Sequence, residues 1–327
     1  MPAEVDGRRE LPAMSCASRR EFFRGAAAVA ATSALAGCAG GGRCCRSNAA
    51  GCGNGPAGEG NCPFRLGMAG YTLGGFDLDG ALKLLERDGV RWLCAKDCHF
   101  PLKSSPAELA ALVKKAADHG VRLYAAGPIS VWTPDDARRA FDYCALLGVP
   151  TFSGVPGEKG PDGKGRSSRK MCETVAALAD EYRINFAIHN HGANPKTGNP
   201  NLYPTVVDTW EIIRGLSPRL GFCVDIAYTE ADGYDSADVL RRFADRVFDV
   251  HLRNTALAGN GSSGAPADAG AIDYLKVVRA LKEIGYAGAC GLELRNAYLD
   301  PSDINPGADP SWIPRSIGYF RGLMAAV

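Results

Sequence analysis

The sequence predicts a single (β/α)8 barrel preceded by an export segment and a tether, and three observations carry that expectation. Short apolar runs and longer amphipathic ones alternate eight times after Pro63. Strands that alternate with helices of this length pair in parallel, and eight such units close a barrel. Once the Gly-, Ala- and Cys-rich first 62 residues are set aside, residues 63–327 remain, a span that suits one barrel domain. No dinucleotide fingerprint leaves the first strand. Gly67-Met68-Ala69-Gly70-Tyr71-Thr72-Leu73-Gly74-Gly75 lacks the spacing that opens a helix on a pyrophosphate, which sets an open doubly wound sheet behind the barrel.

In chain order the strands are expected at Phe64–Ala69, Val90–Lys96, Val121–Ala126, Val149–Gly154, Ile184–His189, Leu220–Ile226, Val247–Leu252 and Ala289–Leu294. The helices that follow them are expected at Leu78–Arg87, Pro106–His119, Pro134–Leu147, Ser168–Tyr182, Tyr203–Leu216, Asp235–Asp245, Asp273–Ile284 and Pro310–Met324. Ser105-Pro106 and Thr133-Pro134 place a capping hydroxyl ahead of a proline in the first turn, and Gly89, Gly120, Gly148 and Gly285 stop helices.

Ahead of the barrel, Ser18-Arg19-Arg20-Glu21-Phe22-Phe23 precedes the weakly apolar run Ala26–Ala34. A paired arginine before so short a run reads as a twin-arginine secretion signal, because the run does not span about 30 Å of hydrocarbon. Leu35-Ala36-Gly37-Cys38 resembles a bacterial lipobox, which implies cleavage before Cys38 and lipidation of its thiol. The expected organisation is a signal peptide over 1–37, a Gly/Cys-rich tether over 38–62 and the barrel over 63–327. The expected location is periplasmic or cell-surface, with the membrane reached only through the lipid at Cys38. Export permits disulfides among the 12 cysteines, but the spacing of Cys44, Cys45, Cys52 and Cys62 does not match paired CxxC metal ligation.

Composition narrows the partners. Hydrophobic residues at 46% and charged ones at 22% supply an ordinary core. With 37 basic and 36 acidic side chains, the net charge of +1 gives no field to hold nucleic acid.

Chemistry in a barrel sits at the carboxyl ends of the strands. Strand two ends Lys96-Asp97-Cys98-His99, strand five His189-Asn190-His191, strand six Asp225-Ile226-Ala227-Tyr228, strand seven His251-Leu252-Arg253-Asn254 and strand eight Glu293-Leu294-Arg295. Residues two apart on a strand share a face, so His189 goes with His191, Asp225 with Cys223, His251 with Asp249 and Arg253, and Glu293 with Arg295. If those faces look inward, His189, Asp225, His251 and Glu293 converge from four consecutive strands. Two imidazoles and two carboxylates make a site for one divalent ion, among Mn²⁺, Co²⁺, Fe²⁺, Zn²⁺ and Mg²⁺; the imidazoles favour the first four. Taken singly, a strand histidine is more often a satisfied core residue, Asp225 a loop starter and Glu293 a partner for Arg295. The joint pattern argues otherwise, since three of only five histidines stand at strand ends and His99 lies just beyond a fourth. His119, at a helix end before Gly120, reads as a favourable charge near a C-terminus.

Several stretches also resemble a known family. Ala187-Ile-His-Asn-His-Gly192, Pro218-Arg-Leu-Gly-Phe-Cys-Val-Asp225, Asp245-Arg-Val-Phe-Asp-Val-His-Leu252, and Ile284-Gly-Tyr-Ala-Gly288 leading into Leu292-Glu293 are similar to the xylose isomerase-like barrels, often labelled sugar phosphate isomerase/epimerase. Lys96-Asp97-Cys98-His99-Phe100-Pro101-Leu102 looks like a segment of the exported lipoprotein relatives. The resemblance implies one metal held by Glu, Asp, His and Glu, with the two glutamates flanking the substrate carbon. Here His189 stands at the first glutamate's position, while Asp225, His251 and Glu293 match the other three. Tyr228 replaces a usual substrate-binding histidine, and Arg253-Asn254 a common Lys-Asp.

The expected activity is isomerisation or epimerisation of a non-phosphorylated keto-sugar or glycoside through an enediolate-type intermediate, with the cation stabilising the charge. Glu293 is the first candidate for proton transfer, and His189, His191, Lys96 and His99 are candidates for the second. Substrate contacts are expected from Lys96, His99, His191, Tyr228, Arg253 and Arg295. Loss of the paired glutamate shifts weight toward a lyase or hydratase acting on 3-keto-glycosides by β-elimination, as some exported relatives are thought to do. Gly259-Asn-Gly-Ser-Ser-Gly264 is expected to be a flexible lid. A non-catalytic carbohydrate-binding lipoprotein is the competing class. An abasic-site endonuclease on the same barrel requires more histidines and a basic groove.

Overall fold

The computed structural model describes residue 9 and residues 64–192, 201–255, 264–294 and 311–327. Within them eight parallel strands close a barrel: β1 Arg65–Ala69, β2 Trp92–Ala95, β3 Arg122–Val131, β4 Thr151–Lys159, β5 Asn185–His189, β6 Leu220–Asp225, β7 Val247–Leu252 and β8 Ala289–Leu292. They neighbour one another in the order β3-β2-β1-β8-β7-β6-β5-β4, and β3 pairs with β4 to complete the ring. Strands enclosed by helices are apolar on both faces, and β6, Leu-Gly-Phe-Cys-Val-Asp, is buried at every position.

The surrounding helices are α1 Leu78–Arg87, α2 Pro106–Asp118, α3 Pro134–Leu147, α4 Arg169–Tyr182, α5 Val206–Ile213, α6 Ser236–Arg242, α7 Tyr274–Glu283 and α8 Trp312–Ala326. The Ser105 hydroxyl accepts from Glu108 N–H while the Glu108 carboxylate accepts from Ser105 N–H, a reciprocal cap that satisfies two donors at the start of α2. The Thr133 hydroxyl accepts from Asp136 N–H to cap α3, and Gly148 ends it in the left-handed region at φ 69°. The inner layer between α3 and the sheet is aromatic, with Phe141 edge-on to Phe152 at 4.8 Å and Phe152 edge-on to Phe186 at 4.7 Å.

Several boundaries differ from the sequence expectation. β3 and β4 run past residues 126 and 154, because their ladder resumes at Ile129↔Gly154 and continues to Val131↔Pro156 beyond Gly127-Pro128. The end of β4 then folds back antiparallel on Gly165–Ser167. β6 stops at Asp225, one residue earlier than expected, because its carboxylate accepts from Tyr228 N–H and starts a short helix, Ile226–Ala231, that the sequence did not suggest. α5 begins at Val206, after Thr205 caps Asp208 N–H, and it ends at Ile213, where Arg214 turns to ψ 136°. No disulfide joins any two of the described cysteines, Cys94, Cys98, Cys144, Cys172, Cys223 and Cys290. Apart from Arg9, the expected signal peptide and tether, with Cys38, lie outside the described residues, as do residues 259–263 of the expected lid and Arg295.

Candidate metal centre

His189 and Asp225 are the last residues of β5 and β6, His251 is the fifth residue of β7, and Glu293 follows β8. Glu293 N–H still donates to Leu252 O at 2.9 Å, so its backbone extends the ladder and its side chain is aimed by the sheet. One ligand atom from each of the four lies within 4.8 Å of the other three. His189 Nε2 is 3.0 Å from His251 Nδ1, and His251 Nδ1 is 2.7 Å from Glu293 Oε2. His189, Asp225 and His251 are buried, while Glu293 is part-exposed toward the mouth.

Asp225 is fixed from three sides. Its N–H donates to Asn190 Oδ1 at 2.9 Å, Asn190 Nδ2 donates to Thr229 Oγ1 at 3.3 Å, and its own Oδ1 accepts from Tyr228 N–H at 2.9 Å. Asp225 Oδ2 makes no hydrogen bond; the Arg253 guanidinium stands 3.5 Å away. Arg253 lies 4.1 Å from the centre of the Tyr228 ring, and its carbonyl accepts from Tyr274 Oη at 2.5 Å.

The electrostatics follow from this crowding. Burial raises the Asp225 carboxyl, with Arg253 partly offsetting it. Burial also works against the Glu293 carboxylate, yet His251, Arg253 and His189 outweigh it and hold that group well below the usual carboxylate range. Burial and the neighbouring His191 and His251 push His189 well below an ordinary imidazole. For His251 the desolvation is overcome by Cys223, Glu293 and Asp249, so it lies well above. His191, mainly desolvated, falls to about 4. Two imidazole nitrogens, two carboxylates and a buried carboxylate oxygen without a hydrogen bond form a donor set that fits a divalent cation.

His189, His251 and Glu293 reach a cavity of ≈ 170 Å³, whereas Asp225 lies beneath it. Lys96, His191, Tyr228 and Arg253, expected from the sequence as substrate contacts, line the same cavity. The His191 ring is 4.3 Å from that of His189 and 6.0 Å from that of Tyr228, and Lys96 Nζ donates to Pro128 O at 3.2 Å. His99 is not among the lining residues. His99 and Phe100 N–H both close onto Lys96 O, turning the chain inward, and His99 Nε2 lies 3.0 Å from Phe76 O. Sequence reasoning gave no role to Asn190, Tyr71 or Asp249, although it set Asp249 on the face of His251. Tyr71 lines the mouth, and Asp249, fully buried, has its Oδ2 3.6 Å from His251 Nε2. Its place two residues before His251 was the available signal.

Comparison with known proteins agrees with this architecture. A family model described as xylose isomerase-like TIM barrel matches residues 82–322. The IolI protein, crystallised with a zinc atom, is similar at 17% identity and TM-score 0.61, over 80% of this chain and 99% of that one. D-psicose 3-epimerase, solved in the presence of D-fructose, is similar at 16% and 0.59, over 80% and 100%. The probable 3-DHS dehydratase AsbF from Bacillus anthracis, involved in petrobactin synthesis, is similar at 11% and 0.57, over 79% and 98%. At these identities the likeness is one of fold.

Proposed function

The chain belongs to the xylose isomerase-like TIM barrel family, and on that premise we propose that it is a metal-dependent sugar isomerase/epimerase-like enzyme acting on a non-phosphorylated keto-sugar or keto-glycoside. The observation that carries this reading is the convergence of His189, Asp225, His251 and Glu293 within 4.8 Å at the base of a cavity. When bound, a divalent ion supplies electrostatic stabilisation of the charge that develops on the oxygens of a hydroxy-ketone. Glu293, ionised and part-exposed at the cavity, removes the proton beside the carbonyl. His189 serves as ligand rather than proton carrier, since its Nε2 shares the 3.0 Å approach to His251 Nδ1. Lys96 returns a proton from another side of the cavity and recovers it from solvent, while the neutral His191 hydrogen-bonds a substrate hydroxyl. Tyr228 and Arg253 orient hydroxyls.

A second reading, β-elimination or hydration of a 3-keto-glycoside, is favoured by one observation. Among the described residues lining the cavity, Glu293 is the only carboxylate, and Lys96 suits protonation of a departing oxygen better than symmetric C–H exchange. AsbF, the dehydratase among the similar structures, shares the fold. The remaining proposals concern placement: export by the twin-arginine route, a tether over 38–62 and lipidation of Cys38. Lipid labelling that vanishes in Cys38→Ser supports them; a soluble, unlabelled product contradicts them.

The activity is tested with Mn²⁺-loaded protein, D-fructose and 3-keto-glucosides in deuterated water. Deuterium entering the recovered sugar, lost in Glu293→Gln, is expected; a C-epimer or aldose product marks isomerisation and an unsaturated product marks elimination. Sugar binding with neither exchange nor turnover leaves the carbohydrate-binding lipoprotein instead.

A further inference from the structure

Beside the cavity over the metal centre lies a second of the same size, ≈ 170 Å³. Lys96, Gly127 and Pro128 line both, so one wall separates them. Packing keeps that wall thin. A Cβ on Gly127 would lie 2.3 Å from Ser153 O at φ +111°, so no side chain is tolerated there. The second cavity is lined by Asp97 and Ser130, both exposed, by Leu102 and by the Tyr143 ring, whose hydroxyl is already committed to Phe100 O at 2.6 Å. A carboxylate and a hydroxyl beside apolar faces match a sugar ring, with hydroxyls at its edge and C–H groups on its faces.

We propose that this second cavity is a subsite for the second ring of a keto-disaccharide, with Lys96 at the junction beside the bridging oxygen. The inference rests on the first cavity holding the keto-sugar ring, and it narrows the substrate from a free sugar to a glycoside. Equal volumes on either side of one wall fit two rings of similar size rather than one ring and a long chain.

The test is calorimetric binding to Mn²⁺-loaded protein of sucrose, trehalose, cellobiose and isomaltulose, each against its constituent monosaccharides. At least one disaccharide is expected to bind tenfold or more tightly than its monosaccharides. Ser130→Trp, which fills the cavity from an exposed position, and Asp97→Ala, which removes a polar contact, are each expected to shrink that margin at least threefold. No disaccharide preference, or a margin untouched by both variants, overturns the subsite. Deuterium exchange into D-fructose without a disaccharide preference removes the subsite and leaves the proposed activity. A preference without exchange into any keto-sugar does the reverse.

A separate observation lies beneath the ligands. Asp249 is fully buried on β7; its Oδ1 accepts from Val250 N–H at 2.9 Å, while its Oδ2 has no hydrogen-bond partner. His251 Nε2, 3.6 Å away and also buried, likewise has none. Two orphaned polar atoms facing one another in a core call for an explanation. We infer that Asp249 is a positioning residue, receiving the Nε2 proton of His251 so that Nδ1, the nitrogen nearest His189 and Glu293, presents its lone pair to the cation. Cobalt titration followed by visible absorbance tests this. Asp249→Ala is expected to weaken Co²⁺ binding roughly 10–100-fold. The isosteric Asp249→Asn, whose amide oxygen still accepts, is expected to lose less and to shift the absorbance bands. Wild-type affinity and spectrum in whichever variant folds overturn the role. A wild-type protein that takes up no Co²⁺ overturns the centre itself.

Discussion

Two halves of the barrel mouth meet at one cavity and are made of different material. β5–β8 end in ionisable side chains, His189, Asp225, His251 and Glu293, each braced by strand register or by a hydrogen bond. β1–β4 contribute Ala69, Gly70, Tyr71, Gly127 and Pro128 to the cavity, with Lys96 the only charged residue from that side among the described residues. The smallness is enforced from below as well as wanted from above. A Cβ on Gly70 would lie 2.6 Å from Cys94 O, and one on Gly127 2.3 Å from Ser153 O. On the proposed function this amounts to a division of labour, in which one half would hold the cation and the other would leave room for the sugar.

That division breaks most readily at the ligands. Asp225→Ala and His251→Ala are each expected to lower ion affinity at least about a hundredfold, since each removes a ligand and leaves its partners unsatisfied; metal content after dialysis checks this, and full content in both variants contradicts it. On the opposite half, Lys96→Met is expected to lower kcat/KM roughly tenfold or more while metal content stays at the wild-type level. A parallel loss of metal in that variant would merge the two halves.

Acid sharpens the contrast by a smaller amount. Burial depresses His191 to about 4 from the ordinary 6.5, so the unfolded chain takes up its proton first as pH falls. The part of the metal-free protein's stability that depends on this residue is therefore complete above about 6.5 and declines toward about 4, by roughly 3 kcal/mol. His191→Gln should flatten that part of the urea-denaturation profile against pH, and an unchanged slope would show that His191 is not desolvated. Smallest is Ser105→Ala, which removes the cap of α2 on the β1–β4 side. It should cost about 1 kcal/mol with ion affinity unaltered, read from urea midpoints and Co²⁺ titration.

Legibility in the sequence followed the same physics. The period of two gave the inward faces of β5–β8, because Asp225 and His251 follow buried residues two positions back. Caps at Ser105 and Thr133 were visible because their hydroxyls act within three residues. The continuation of β3 and β4 was hidden because Gly127-Pro128 reads as a break, whereas the register that resumes at Ile129↔Gly154 depends on a partner distant in sequence. Lys96 and His99 looked equivalent, since nothing local shows that backbone bonds to Lys96 O turn His99 away toward Phe76. Asp249 was placed on the His251 face by the period of two but given no role, because an acid in mid-strand gains meaning only from the imidazole above it.

The central claim, one cation shared by strands β5 to β8, is tested most directly by diffraction from crystals grown with Mn²⁺ or Zn²⁺, with anomalous data at the metal edge. A single strong peak within coordination distance of His189, Asp225, His251 and Glu293 is the predicted result. A peak elsewhere, or none at these four side chains in metal-saturated crystals, would contradict it.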